Sequence, residues 1–157
     1  MADSRRPVLL AVDDDPLVLR AIRRDLVHAY ADRYRILAAA SGPDGLRVLD
    51  DLELRREELA LLIADQRMPQ MTGVEFLGIA GGRFPLARRV LLTAYADTDV
   101  ASDQILLDRL LAKPWEPPAM RLYPVLNELL EDWQASRQPG PDDSALGTLS
   151  SAVVDYT

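Results

Sequence analysis

The stretch Leu59–Asp65 (LALLIAD) decides the fold, because six consecutive apolar residues end abruptly on an acid. An apolar run of this length predicts a strand that is buried on both faces of a parallel sheet. A second run of the same kind, Val8–Val12 (VLLAV), ends on Asp13, Asp14 and Asp15. The sequence therefore predicts two buried strands whose carboxyl ends carry carboxylates.

Strand patterns and helix patterns alternate along the rest of the chain. Five such units predict an α/β fold of the (βα)₅ type, a doubly wound five-stranded parallel sheet with right-handed crossovers and helices on both faces. The predicted elements, in chain order, are Val8–Val12, Pro16–His28, Arg35–Ala40, a helix after the turn Ser41–Asp44, Leu59–Ala64, Val74–Phe84, Arg89–Leu92, Ala96–Leu107, Arg109–Ala112 and Pro118–Ala135.

The carboxyl ends of these strands predict the position of a site, since ligands of open parallel sheets bind there. Clustered carboxylates repel one another and favour a cation that neutralises them. Magnesium (Mg²⁺) fits best, because it uses few carboxylates, retains waters and recruits phosphate oxygens, whereas calcium needs more protein oxygens. The acids therefore imply a phosphate ligand. The residues just past the predicted strands are Asp13, Asp14, Asp65, Thr93 and Lys113.

Asp65, Thr93 and Lys113 are the candidate catalytic residues. An aspartate carboxylate can attack phosphorus to give an aspartyl phosphate, and a metal ion lowers the repulsion between the two groups. Lys113 is the only lysine beside 17 arginines, and it offers a compact charge where arginine would offer a wide fork. The Thr93 hydroxyl and the lysine ammonium both suit a phosphoryl group as hydrogen-bonding partners.

Two residues beside this site have predicted structural roles. Asp15 precedes Pro16 and is expected to cap the first helix. Trp115 is expected to pack where the chain leaves the last strand.

Composition narrows the class of protein. The chain has 157 residues, no cysteine, one histidine and a net charge of −7. This length suits one domain with a tail, so we expect a domain over residues 1–137 and a linker or disordered tail over 138–157. The absence of a basic stripe argues against direct nucleic-acid binding by this domain. No run approaches the roughly 20 apolar residues of a membrane span, and no secretory signal is apparent, so we expect no membrane partner and a cytoplasmic location.

Short motifs in one order resemble the receiver domain of response regulators in bacterial two-component signal transduction, over about residues 7 to 135. The resemblance implies a flavodoxin-like receiver fold and a phosphorelay in which a histidine kinase or phosphotransfer protein phosphorylates an aspartate with Mg²⁺. The motifs are Val12–Pro16 (VDDDP), Asp65-x-x-Met68-Pro69-x-x-x-Gly73, Leu91–Tyr95 (LLTAY) and Lys113–Trp115 (KPW).

The same resemblance implies a role for each matching residue and a surface that changes on phosphorylation. That surface comprises the last two helices and the last strand, through which a homodimer could also form. The protein would then catalyse only its own phosphorylation and dephosphorylation. The implied roles are phospho-acceptor for Asp65, metal-side acids for Asp13 and Asp14, switch hydroxyl for Thr93, phosphate-binding lysine for Lys113, and a metal-binding backbone carbonyl for Arg67.

Two departures from the family pattern leave an alternative open. Leu110 stands where the family often has an aromatic switch residue, and Arg67 lies two residues past the acceptor. A pseudo-receiver that acts without phosphorylation is therefore the second hypothesis. A magnesium-dependent phosphatase would ordinarily need an acid at the place of Arg67.

The output of the switch lies beyond the motifs, so the chain is either a stand-alone receiver or the N-terminal part of a longer protein with a fused output domain. The low-complexity tail favours the second. The run Lys113–Trp133 is similar to the ending of receivers fused to a thioredoxin-reductase-like flavoprotein.

Overall fold

The computed structural model describes residues 6–94 and 107–137. Its five strands form one parallel sheet in the order β2-β1-β3-β4-β5. The elements are β1 (Val8–Val12), α1 (Pro16–Tyr30), β2 (Arg35–Ala39), α2 (Gly42–Arg55), β3 (Leu59–Asp65), α3 (Gly73–Arg83), β4 (Arg88–Thr93), β5 (Arg109–Ala112), α4 (Pro118–Arg121) and α5 (Tyr123–Arg137). The predicted five-stranded parallel sheet is confirmed.

Alternate residues of the central strands face two separate apolar layers. Leu9 of β1 belongs to the layer that contains Leu26 of α1 and Trp133 of α5. Leu10, its neighbour, belongs to the layer that contains Leu49 of α2 and Phe76 of α3. Because β1 and β3 are buried on both faces, their sequences are continuous apolar runs. The acids that end these runs are held at the carboxyl edge by this packing.

Helix α1 begins where the sequence predicts. The Asp15 side chain accepts a hydrogen bond from the backbone N–H of Leu17 at 2.9 Å, and Pro16 occupies the first turn. The role of Asp15 as a helix cap is confirmed. The helix continues to Tyr30, two residues past the predicted end.

The predicted helix over Pro118–Ala135 is wrong as one continuous element. The chain forms α4 and then α5, with the buried Leu122 between them at φ −110° and ψ −57°. Pro124 explains the break, because it has no N–H for the bond of a continuous helix and its ring would clash with the preceding turn. Near the start of α5 that missing N–H costs nothing.

Some expectations fall outside the described ranges. Residues 95–106 hold nearly all of the predicted helix Ala96–Leu107, and residues 138–157 hold the predicted tail. The domain boundary at residue 137 therefore stays a prediction. No helix in the described ranges is long and apolar enough to cross a membrane.

Gly73 and Gly82, which lie in the same helix, are expected to respond oppositely to alanine. A Cβ on Gly73 would lie 2.3 Å from the backbone oxygen of Asp65, whereas a Cβ on Gly82 would meet nothing within 4 Å. Gly73→Ala should therefore lower the free energy of unfolding by about 1–3 kcal/mol. Gly82→Ala should raise it by up to about 1 kcal/mol, since alanine favours the helix. Urea denaturation measures both, and equal effects would contradict the close approach at Gly73.

Candidate functional site

The acids of the candidate site lie on two adjacent strands. Asp13 directly follows β1, Asp65 is the last residue of β3, and these strands pair in parallel with Val12 opposite Ala64. Both acids are nearly inaccessible, with 1% of Asp13 and 5% of Asp65 exposed. Because adjacent parallel strands end at the same edge of the sheet, the two carboxylates lie side by side in a buried position.

Lys113 brings a cation to both acids. Its Nζ lies 2.6 Å from Oδ1 of Asp65 and 3.3 Å from Oδ2 of Asp13. Its backbone N–H donates to the carbonyl of Thr93 at 2.9 Å, which joins the ends of β4 and β5. The ammonium thus bridges the carboxylates from the β5 side, while 24% of the lysine side chain remains exposed.

Burial and the neighbouring groups have opposing effects on the pKa values of Asp13 and Lys113. Burial raises the pKa of Asp13, a hydrogen bond from the Asp15 N–H lowers it, the charge of Asp65 raises it, and the net pKa lies above its ordinary value. Burial alone would lower the pKa of Lys113, but its hydrogen bond to Asp65 and the charges of both acids outweigh this and raise it. The lysine is therefore charged near neutral pH. The ionised form of Asp13 is destabilised by its burial.

The acid cluster fits a hard divalent cation. Asp13, Asp14 and Asp65 each bring a carboxylate oxygen within 4.8 Å of the others. Asp14 is exposed, whereas Oδ2 of Asp13 is buried and accepts no well-formed hydrogen bond, having only the ion pair with Lys113. A buried oxygen without a hydrogen bond is costly, and oxygen ligands of this kind are those that Mg²⁺ prefers. The residues present could hold such an ion.

The other predicted site residues lie around this cluster. Thr93 is buried at the end of β4, and its Oγ1 donates to the carbonyl of Ala94 at 3.0 Å. Arg67 is exposed in the loop between β3 and α3. Leu110 is 38% exposed on β5, a strand that pairs only with β4 among the described residues. The structure thus brings Lys113 to the acids and places Thr93 one strand away.

Gln66 shapes the loop after Asp65, a role that sequence reasoning did not assign. Its side-chain Oε1 accepts from the N–H of Val74 at 3.0 Å, and its backbone oxygen accepts from Gly73 at 3.1 Å. Thr72 and Glu75 complete a capping box at the start of α3. The sequence signal was the capping box, which marks a helix start that needs further hydrogen-bond acceptors.

Asp13→Asn is expected to stabilise the metal-free protein and to abolish its stabilisation by Mg²⁺. The folded state raises the pKa of Asp13 above 3.8, so it binds more protons than the unfolded chain, and stability falls as pH rises through this window. Near neutral pH, asparagine removes the destabilising buried charge, and its side-chain oxygen can still accept the hydrogen bond from the Asp15 N–H. Wild type should gain about 1.4 kcal/mol at a Mg²⁺ concentration ten times Kd.

Urea denaturation near neutral pH, in EDTA and in Mg²⁺, measures both effects. The matched control is Asp14→Asn. Asp14 is exposed, so removing its charge should change the free energy of unfolding of the metal-free protein very little. A lower free energy of unfolding for Asp13→Asn in EDTA would contradict the cost assigned to this carboxylate.

The fold and the site define an α/β protein with a parallel sheet whose carboxyl edge carries clustered acids, a lysine and a threonine. Residues 9–123 match the family described as the response regulator receiver domain. The chain belongs to this family, which confirms the resemblance found in the motifs. It is a receiver domain of the two-component type, a signalling module with a flavodoxin-like fold.

Known proteins agree with this assignment. The chain is 34% identical over 131 residues to the transcriptional regulatory protein GlrR of Escherichia coli, covering 82% of this chain and 27% of that protein. It is 32% identical over 120 residues to the hydrogenase transcriptional regulatory protein HoxA of Cupriavidus necator, covering 74% and 23%. The chain thus spans about a quarter of the length of these relatives.

A solved structure supports the fold directly. The signal receiver domain of an HD domain-containing protein from Pseudomonas fluorescens is 27% identical and superimposes with a TM-score of 0.71, covering 85% of this chain and 93% of that one. The receiver architecture therefore extends over most of the chain.

Proposed function

We propose that Asp65 accepts a phosphoryl group from a histidine kinase or phosphotransfer protein in a Mg²⁺-dependent reaction. The observation that carries this proposal is the contact of Lys113 Nζ with Oδ1 of Asp65 at 2.6 Å, beside Oδ2 of Asp13, whose only partner among the described residues is the same ammonium at 3.3 Å. A buried nucleophile, a fixed cation and an acid in need of a cation are the parts that phosphoryl transfer to a carboxylate requires. We place the reaction in the cytoplasm.

The proposed step forms one bond and breaks one bond. A carboxylate oxygen of Asp65 attacks phosphorus, the new O–P bond forms, and the P–N bond of the phosphohistidine breaks. The imidazole leaves with the electron pair of that bond and is the site that takes up a proton. When bound, Mg²⁺ supplies charge neutralisation for the phosphoryl oxygens, and Asp13, Asp14, Asp65 and the backbone carbonyl of Arg67 would hold it.

Lys113 and Thr93 have separate parts in this proposal. Lys113 gives up its hydrogen bond to Asp65 and donates to a phosphoryl oxygen from the same side of the pocket. Thr93 exchanges its bond to the Ala94 carbonyl for a second phosphoryl oxygen. A movement of Thr93 would then shift the chain that follows β4, which is how phosphorylation would reach the surface.

The readout of the signal is proposed on the β5 side. Leu110 lacks the aromatic ring common in the family, so we assign transmission to the backbone of Thr93 and Lys113, which are hydrogen-bonded to each other. The changed surface would serve a homodimer through the last strand and last helices, or an output domain attached beyond residue 137. The relatives, several times longer than this chain, support an attached domain.

The test uses the wild-type chain, acetyl phosphate and intact-mass spectrometry. We expect the mass of one phosphoryl group to be added in Mg²⁺ and not in EDTA, and borohydride reduction with peptide mapping to locate it at position 65. No gain in Mg²⁺ with either acetyl phosphate or a phosphorylated kinase would overturn the proposal in favour of the pseudo-receiver.

A further inference from the structure

A buried hydrogen bond connects α1 to the segment that follows Lys113. The indole Nε1 of Trp115 donates to Oδ2 of Asp25 at 2.8 Å, across 90 positions of sequence. The hydroxyl of Tyr123 donates to the backbone oxygen of the same aspartate at 2.8 Å. Asp25 and Trp115 are each 6% exposed. One residue of α1 therefore receives two donors from the C-terminal part of the fold.

Asp25 is a costly residue to place in this position. A buried carboxylate is destabilising unless hydrogen bonds and charges compensate for its lost hydration. The compensation is specific, because Trp115 binds one oxygen and the Arg24 Nε lies 3.2 Å from the other. Asp25 also lies outside the acid cluster that could hold a metal. The burial of the Asp25 carboxylate is explained by a need to hold the Trp115 indole in place.

Trp115 is close enough along the chain to control Lys113. Only Pro114 separates them, so a shift of the Trp115 backbone reaches the lysine through a single intervening residue. β5 is held by β4 alone among the described strands, and an edge strand constrains the loop after it less than a central strand does. The backbone bond from Lys113 to Thr93 fixes one side of this loop, and the indole fixes the other.

Helix α1 also contacts the opposite side of the phosphoryl site. Its cap, Asp15, donates its backbone N–H to Oδ1 of Asp13 at 2.9 Å. The same rigid helix therefore holds Asp13 at its start and, through Asp25 and Trp115, the anchor of Lys113 farther along. The separation between the ammonium and the Asp13 carboxylate then depends in part on this helix.

We propose that Asp25 is a positioning residue that, through Trp115, holds the Lys113 ammonium against Asp65 and Asp13. The consequence for phosphoryl transfer rests on the proposed function above, whereas the placement of the lysine does not. Loss of this anchor displaces the ammonium, and misplacing a group in such a site by about 1 Å can cost up to about 100-fold in rate.

The single lysine makes the placement directly measurable. Protein labelled with ¹³C at lysine Cε gives one NMR signal, from Lys113, because the chain has no other lysine. Asp25→Leu, which keeps the branched shape but removes the acceptor, should move this signal towards that of a solvated lysine. Trp115→Phe, which keeps an aromatic ring but removes the donor, should move it in the same direction. Asp25→Asn retains an oxygen acceptor and should leave it near its wild-type position.

Phosphorylation by acetyl phosphate supplies the second readout. Asp25→Leu and Trp115→Phe should each slow it by about 3-fold to 30-fold, and the double variant should be no slower than the slower single variant, because both remove one interaction. In a Lys113→Met background, Asp25→Leu should slow phosphorylation no further.

The outcomes separate this inference from the proposed function. An unmoved Lys113 signal in folded Asp25→Leu and Trp115→Phe overturns the inference, whatever the phosphorylation rate. The same result follows if Asp25→Leu slows the reaction equally with and without Lys113. A moved signal in a protein that takes up no phosphoryl group upholds the positioning role and removes the proposed function instead.

Discussion

Asp65→Asn is expected to abolish phosphorylation by acetyl phosphate and by a phosphorylated kinase. The amide has nearly the shape of the carboxylate but lacks the anionic oxygen that must attack phosphorus. It still fits the pocket, because its oxygen can accept from Lys113, whose Nζ lies 2.6 Å from Oδ1 of Asp65 in wild type. Intact mass after incubation in Mg²⁺ measures the loss, and we expect no phosphorylated species.

The matched control for this substitution is Asp15→Asn. Asp15 is an acid beside the site, but its side chain caps α1 by accepting from Leu17, and asparagine caps helices equally well. Phosphorylation of this variant should stay within about 2-fold of wild type, since its effect on the pocket charge is screened by solvent. Equal labelling of Asp65→Asn and wild type would show that another residue accepts the phosphoryl group.

Lys113→Met is expected to lower the free energy of unfolding of the metal-free protein by about 3 kcal/mol. The substitution keeps an unbranched side chain but leaves Asp13 and Asp65, both buried, without their cation. Removing one partner of a buried ion pair is costly because the remaining charge stays desolvated. Mg²⁺ should recover much of the loss by neutralising the same acids. Phosphorylation should also slow by at least about 10-fold, since the ammonium no longer stabilises the transferred group.

The pH dependence gives the sign of this effect. The folded-state pKa of Lys113 is raised, so its contribution to stability is present below the unfolded pKa and is lost as pH rises through the folded one. The difference between wild type and Lys113→Met should therefore be large near neutral pH. It should shrink in strong alkali, where the lysine is neutral, and in acid, where the carboxylates are protonated.

Arg109→Met is the control for loss of a cation near the site. Arg109 is also on β5, but it pairs with Glu128 at the surface, where both side chains are well exposed. Exposed pairs of this kind contribute up to about 1 kcal/mol, and Mg²⁺ should not alter the effect. Urea denaturation in EDTA and in Mg²⁺ compares the two variants. A loss for Lys113→Met no greater than that for Arg109→Met would contradict the bridging role of the lysine.

The parts of this fold that the sequence predicted best are those with the fewest physical alternatives. β1 and β5 have the predicted bounds, and β3 differs only by including Asp65. A short apolar run bounded by charges favours a buried strand over a helix because of its length and its flanking residues. Because parallel strands end at a common edge, the gathering of Asp13, Asp65 and Lys113 followed from the order of elements alone.

Other features depend on contacts that no local pattern records. Asp25 lies among charged residues of α1, so it reads as part of a solvated face, and its partner Trp115 is 90 positions away. The adjacent acids Asp13 and Asp14 differ in burial, which depends on packing around β1. The break at Leu122 does have a local sequence signal in Pro124, but the apolar periodicity of the segment favours one continuous helix.

The order of strands gives this domain two unlike halves. Every side chain that we assign to the phosphoryl site lies at or just past the ends of β1, β3, β4 and β5, and none comes from β2 or α2. Arg83 of α3 braces that other half with ion pairs to Asp50 and Glu53 of α2. We therefore expect a tether or fusion on the β2 side to disturb phosphorylation less than the same attachment near β5.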